Sequence, residues 1–284
     1  MNDIDLFAPA KAKKSLGQHF LRDENAIRRI VDLLRAEEGD QLMEIGPGPG
    51  ALTSLLRTLP WQKLILLEKD EHYAREHAQR PMKGLEVIAG DALRYPWESL
   101  VGPWKIAGNL PYNVASPLMW DIVSRTPHLS RAVFMIQKEV GERLLASPGT
   151  KNYGALSVWI QSFAAVRKGF VIGPAAFSPP PKVDSMVVVF EPLSPEMQPK
   201  DPASLARCIK LCFQQRRKQL QGILRRALPS SFTPGMLSEL GISPAQRPET
   251  LSVMEFQRLS AMLFSEKISP DPPAALDDEQ ETCS

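Results

Sequence analysis

Across the first two hundred residues, short apolar runs of strand length alternate with stretches of helical periodicity. Runs at 41–45, 63–67, 85–88, 104–108, 131–137 and 185–190 predict six strands. Between them, Asp23 is placed to cap a helix whose apolar face carries Ile27, Ile30, Val31 and Leu34. Residues 51–56 begin a second helix, and 116–125, 138–145 and 154–163 read as three more. Pro192, Pro195, Pro199 and Pro202 then mark a linker. Beyond it the pattern is helical only. Leu211, Phe213, Leu220, Ile223 and Leu224 supply core positions, and further helices fall at 236–240 and 253–264. An α/β domain over 1–192, a small helical domain over 200–268 and a disordered acidic tail over 269–284 are therefore expected.

The ends of the predicted strands carry the chemistry. The first runs into Gly46-Pro47-Gly48-Pro49-Gly50 and then a helix, the nucleotide-binding arrangement of doubly wound α/β folds. Its spacing is not the dinucleotide G-x-G-x-x-G. The Lys-Ser/Thr of a phosphate-binding P-loop is also missing, which argues against ATP or GTP hydrolysis. The second strand ends at Glu68, 22 residues after Gly46, where such folds set a carboxylate on ribose hydroxyls. The third leads to Gly90-Asp91-Ala92, with Asp91 placed to accept from an adenine amino group. All three ends converge on one edge of the sheet.

The fourth strand ends at Asn109-Leu110-Pro111-Tyr112. The Asn109 side-chain oxygen and a nearby backbone carbonyl can accept both hydrogens of an exocyclic amine. Accepting them draws the nitrogen toward a tetrahedral shape and frees its lone pair from the ring. Tyr112 can stack on a base, and Pro111 stiffens the turn. Phe177, ahead of Pro179-Pro180-Pro181, is a candidate for the opposite face of that base, although a packed aromatic in a proline-rich turn is the plainer reading.

Charge sharpens the picture. The net +2 conceals a tail, 269–284, with five acids and no base, so the remainder carries 34 basic against 27 acidic residues, a net +7. Residues 201–230 hold seven Lys or Arg and one Asp. Arg216, Arg217 and Lys218 on consecutive helical positions, with Arg225 and Arg226 further on, point to a phosphate-binding surface. Lys11, Lys13 and Lys14 are further candidates. Three cysteines point to a reducing cytoplasm, and the N-terminus has no leader-like stretch. Cys208 and Cys212 share a helical face without a nearby His, so buried thiols are expected there and no metal site.

Together these motifs resemble the small-subunit (16S) ribosomal RNA adenine N6,N6-dimethyltransferase family. The resemblance runs from about Lys14 to about Phe264 and includes Gln18-His19-Phe20-Leu21, the Glu44–Thr53 loop, Gly90-Asp91-Ala92, Asn109-Leu110-Pro111-Tyr112, Gln137-Lys138-Glu139-Val140, residues 177–185, and 213–218. It implies a Rossmann-like class I S-adenosylmethionine-dependent methyltransferase domain with a small C-terminal helical domain. It also implies dimethylation of two adjacent adenosines near the 3′ end of 16S rRNA, with the small ribosomal subunit as partner, linked to subunit biogenesis. Cofactor contacts carry over to His19, Leu21, Gly46, Glu68, Asp91 and Asn109. Asn109, the Leu110 carbonyl, Tyr112 and Phe177 serve the target base. A cytoplasmic monomer without a membrane anchor is expected. Two departures stand out: Lys69 where hydrophobic or small residues are usual, and Pro49 in place of a common Leu. The related large-subunit adenine methylases are the nearest alternative, disfavoured by Leu110, the Pro-Gly-Pro-Gly loop and the long basic helical region. DNA adenine methylases, which usually carry Pro after the Asn or Asp, are further off. An assembly factor whose methylation matters little is an alternative of a different class.

Overall fold

The computed structural model describes residues 19–264; Lys11, Lys13, Lys14, Gln18 and the acidic tail lie outside the described residues. In chain order the elements are β1 (Phe20–Leu21), α1 (Glu24–Leu34), β2 (Gln41–Ile45), α2 (Thr53–Leu56), β3 (Lys63–Glu68), α3 (Glu71–Ala78), β4 (Leu85–Ala89), β5 (Trp104–Asn109), α4 (Ala115–Arg125), β6 (Leu129–Gln137), α5 (Lys138–Leu144), α6 (Ala155–Phe163), β7 (Ala164–Ile172), β8 (Phe177–Ser178) and β9 (Ser185–Pro192). The helical remainder is α7 (Pro202–Phe213), α8 (Leu220–Ala227), α9 (Pro234–Glu239) and α10 (Val253–Phe264).

Seven strands form one sheet in the order β4-β3-β2-β5-β6-β9-β7. The first five are parallel, and β9 and β7 are added antiparallel. From β2 the chain steps outward through β3 to β4, then returns to place β5 on the other side of β2. That reversal opens a crevice at the carboxyl ends of β2 and β5, the place where open α/β sheets bind ligands.

Because helices cover both faces, alternate residues of each strand enter different cores. Met43, Ile45, Ile65, Leu67, Ile106 and Phe134 pack on the side of α4 and α6. Leu42, Leu64, Leu66, Val133 and Met135 pack on the side of α1 and α2. Asp23 accepts the Ala26 N–H at 2.8 Å and caps α1 as expected, with Ile27, Ile30, Val31 and Leu34 buried. Trp120 of α4 and Trp159 of α6 stack at 3.9 Å, nearly parallel. The first core continues from there into Leu205, Cys208, Ile209, Cys212, Phe256 and Leu259. The helical part is thus seated on the sheet domain through α6. Cys208 and Cys212 are buried thiols.

The structure departs from the expectations in four places. β7 was not predicted: it is an edge strand in which Arg167 and Lys168 face solvent, so its apolar alternation is broken. The charged helix α3 buries only Tyr73, Ala74 and His77, too few to mark it by periodicity. Phe20–Leu21 pairs with Phe177–Ser178 as a separate two-stranded sheet, a contact no local pattern announces. Finally, Arg216, Arg217 and Lys218 lie not on a helix but in the turn between α7 and α8. Arg216 reaches across to Glu249 and to the Lys151 carbonyl, at 2.7 Å for the latter, and holds this turn against neighbouring segments.

Candidate active site

A cavity of about 160 Å³ lies at the carboxyl ends of β2, β3, β4 and β5. Its wall includes His19, Gly46, Gly48, Glu68, Lys69, Asp91, Asn109, Leu110, Pro111 and Tyr112. The structure therefore gathers residues from all four strand ends, together with His19 from a distant part of the chain.

The glycine loop is held from two directions. Gly46 and Gly48 have φ of 64° and 53°, a region that favours glycine. Gly48 donates its N–H to Glu68 Oε2 at 2.8 Å, and its carbonyl meets His77 Nε2 at 2.9 Å. A carbonyl only accepts, so Nε2 carries the proton. Burial lowers the His77 pKa and keeps the ring neutral. Glu68 also accepts the Asp70 N–H at 2.7 Å through Oε1. Glu68 as a residue is 5% exposed, and burial raises its pKa against the pull of these hydrogen bonds. A carboxylate has about four acceptor positions, so the group keeps capacity for a further donor. A Cβ on Gly46 would meet nothing within 4 Å, so backbone there opens directly onto the cavity.

Beneath this loop lies a second carboxyl group that sequence reading left unassigned. Glu44 is 2% exposed and accepts from Thr53 Oγ1 at 2.6 Å. Burial, reinforced by the Glu68 charge, pushes its pKa up to about 8. An acidic residue inside an apolar strand run was the one signal available. Its partner Thr53 sits nine positions later, across the glycine turn.

The amine-facing half is ordered by tertiary contacts. Asn109 Nδ2 donates to the His19 carbonyl at 2.8 Å. Because that carbonyl cannot donate, the amide is oriented without ambiguity, and among the described residues Oδ1 takes no hydrogen bond. The Leu110 N–H is bound to the Met135 carbonyl at 3.0 Å, while among the described residues no donor reaches the Leu110 carbonyl. Asn109 and Leu110 both line the cavity. The Tyr112 ring stacks with the His19 ring, centroids 5.8 Å apart and planes at 27°. Its hydroxyl meets Ser185 Oγ at 2.8 Å, and burial raises its pKa. His19 Nδ1 donates to the Pro179 carbonyl at 2.8 Å. Ser185 was not singled out from sequence; a fully buried serine at a strand start gives no local sign of a partner 73 residues away.

Two of the expected site residues do not reach the cavity. Leu21 and Phe177 are register partners in the β1–β8 pair, 3% and 5% exposed, and both belong to the core beside α1. A sandwich of Tyr112 with Phe177 is therefore not formed in this structure. The strand pair instead carries His19, the residue before β1, to Asn109.

The basic residues divide into two sets. Arg216 is in an ion pair with Glu249. Arg217, Lys218, Arg225 and Arg226 are exposed, and among the described residues none of them has an acidic partner. No helix among the described residues is long and apolar enough to cross a membrane.

A strand-end cavity at the switch point of a mixed α/β sheet, with acidic residues after β3 and β4 and an Asn-Leu-Pro-Tyr after β5, defines a class I methyltransferase site. Comparison with known proteins narrows this. Residues 10–264 match the model of the ribosomal RNA adenine dimethylase family, and the chain belongs to that family. It is 54% identical over 253 residues to the ribosomal RNA small subunit methyltransferase A of Nitratidesulfovibrio vulgaris strain DP4, covering 87% of this chain and 95% of that one. Among solved structures, a dimethyladenosine transferase from Plasmodium falciparum superposes with a TM-score of 0.75 at 27% identity, over 85% of this chain and 96% of that one. The 23S rRNA methyltransferase ErmE shares the fold, with a TM-score of 0.62 at 23% identity over 86% of this chain and 99% of its own. The chain is accordingly a methyltransferase.

Proposed function

We propose that the protein uses S-adenosylmethionine to dimethylate N6 of two adjacent adenosines near the 3′ end of 16S rRNA, within small-subunit biogenesis in the cytoplasm. The observation that carries this reading is the Asn109 amide, pinned through Nδ2 by the His19 carbonyl so that Oδ1 and the Leu110 carbonyl stand ready for one amine. The donor set fits the cofactor. Gly46 gives an open backbone, Glu68 has lone pairs for ribose hydroxyls, and Asp91 lies one strand over for an adenine amino group. When bound, S-adenosylmethionine supplies a methyl group activated by its sulfonium.

The chain's own residues then have three tasks. In the first transfer Asn109 Oδ1 and the Leu110 carbonyl each accept one N–H of the target amine, which removes its lone pair from conjugation; in the second, the monomethylated amine has one N–H left to donate to this pair. Tyr112, braced by Ser185 and His19, offers a ring face for stacking. No His or Cys is needed as a strong base, because the attacking nitrogen becomes acidic as its new bond forms. The remaining contribution is alignment of donor and acceptor. A base in a helix cannot reach the cavity and must be extruded or unpaired.

Residues 1–192 form the methyltransferase unit in this reading and 200–268 the RNA-binding unit. Arg217, Lys218, Arg225 and Arg226 grip phosphates, and Arg216 braces the turn that presents them. Phe177 serves the base only if β8 shifts on RNA binding. Incubating unmethylated small subunits with the protein and methyl-labelled cofactor, then mapping label by primer extension, tests the proposal. Two adjacent dimethyladenosines near the 3′ end are expected; label elsewhere, or none, overturns it.

A further inference from the structure

The residue after Glu68 is Lys69. Its neighbour across the sheet is Asp91. β3 and β4 are paired with Glu68 opposite Ala89, so Lys69 and Asp91 leave adjacent strand ends. Lys69 Nζ reaches Asp91 Oδ2 at 2.7 Å. Oδ1 of the same carboxylate accepts the Leu93 N–H at 3.1 Å. Both residues line the cavity, and both also line an open polar recess on its outer side, with Glu71 and Arg94. The pair belongs to the walls of both spaces, as does Gly90.

We infer that Lys69 is a positioning residue that aims the Asp91 carboxylate at the amino group of the cofactor's adenine, and so sets selectivity for that base. The inference rests on reading the cavity as the S-adenosylmethionine site. A lone aspartate on a strand-end loop can rotate about two torsions. Here one oxygen is tied to its own turn and the other to a cation, which defines the plane of the carboxylate. Each oxygen keeps one lone pair for a ligand N–H. Lysine has donors only, so it cannot take the amino group itself. The Asp91 pKa is lowered chiefly by the Lys69 hydrogen bond, which keeps the acceptor ionised. At 58% side-chain exposure, Lys69 can be changed without opening a core.

The probes are S-adenosylhomocysteine and its hypoxanthine counterpart, in which a carbonyl oxygen replaces the amino group. Binding of each is measured by calorimetry on the full chain. Lys69→Met keeps the stem and removes the ammonium. It is expected to weaken the adenine ligand about five- to tenfold and the hypoxanthine ligand by less than about twofold, so selectivity falls. Lys69→Arg restores adenine binding to within about twofold of wild type. An unchanged adenine affinity in Lys69→Met overturns the inference, as does an equal loss for both ligands, which would make Lys69 a mere wall. Failure of the wild-type protein to bind either ligand overturns the cavity reading itself, and the inference with it.

Discussion

The strand-end cavity and the basic turn after α7 both carry polar residues, but they are built in opposite ways. At the cavity nearly every polar group has a fixed partner. Glu68 is bound to two backbone amides, Asn109 to a carbonyl, Tyr112 to a serine and Gly48 to a histidine. At the turn, Arg217 and Lys218 stand exposed, as do Arg225 and Arg226 on α8. The difference suits the ligand proposed for each region. Methyl transfer requires alignment of reacting atoms, and a small misplacement costs rate. Phosphate attraction is long-ranged and tolerant of geometry, and an exposed cation needs no preset orientation to contribute. Arg216 shows the boundary between the two. Next to Arg217 in sequence, it is held by Glu249 and Lys151 and belongs with the braced set.

The comparison can be broken most directly at Asn109. Asn109→Ala is expected to slow single-turnover methyl transfer by about 10²-fold or more at saturating cofactor, as loss of an aimed electrostatic contact does. A rate near wild type would mean that the amine is shaped elsewhere. Glu68→Ala comes next, expected to weaken S-adenosylmethionine binding by roughly 1.5–3 kcal/mol, the range of a hydrogen bond to a charged group. RNA affinity should be unaltered in the same variant. Calorimetry that finds cofactor affinity unchanged removes Glu68 from the site.

The exposed set should respond to salt instead. Replacing Arg217, Arg225 and Arg226 by Gln is expected to weaken small-subunit binding and flatten log affinity against log salt by roughly 0.7–0.9 per lost contact. Cofactor affinity should not move. A wild-type salt slope would identify these arginines as a solvated face.

Glu44 tests the braced set through pH. Its pKa rises from an ordinary 4.5 to about 8 in the fold. Between those values the native state keeps a proton that the unfolded state has released. Its contribution to stability is therefore complete below pH 4.5 and declines as pH rises to about 8, by something on the order of a few kcal/mol. Glu44→Gln should flatten that decline in thermal unfolding from pH 5 to pH 8; an unaltered slope would show that Glu44 ionises freely. Smallest is Arg216→Gln, expected to cost about 1 kcal/mol of stability through its partly exposed ion pair and carbonyl bond. Its salt slope for RNA should match wild type, and a flattened slope would return Arg216 to the phosphate-binding set.

Much of the site was readable because its parts are local. A strand, a glycine turn and a helix are contiguous, and so are the acid or Asn-Leu-Pro-Tyr at the ends of later strands. Their convergence follows from the parallel sheet that apolar runs and intervening helices require. Glu68, Asp91, Asn109 and Tyr112 all reach the cavity for that reason. What escaped involves separation along the chain. The Asn109–His19 contact spans 90 residues, and β1, which sets it up, is two residues long. The basic run reads as helical since Gln, Arg and Lys are good helix formers. In the fold it is a turn, from which Arg216 bonds to segments that sequence does not place beside it.

Local sequence pattern determined the doubly wound class, the helical extension and the order of strand-end motifs, and the resemblance those motifs carry pointed to the family. Those features depend on neighbours in the chain, whose preferences act before any fold exists. Tertiary structure decided which lone pairs remain available. It turned the Asn109 amide, placed two backbone amides on Glu68, tied Asp91 to Lys69, and kept Leu21 and Phe177 in a core. A hydrogen-bonding group is defined by what it is not already bonded to, and that is known only when distant segments have met.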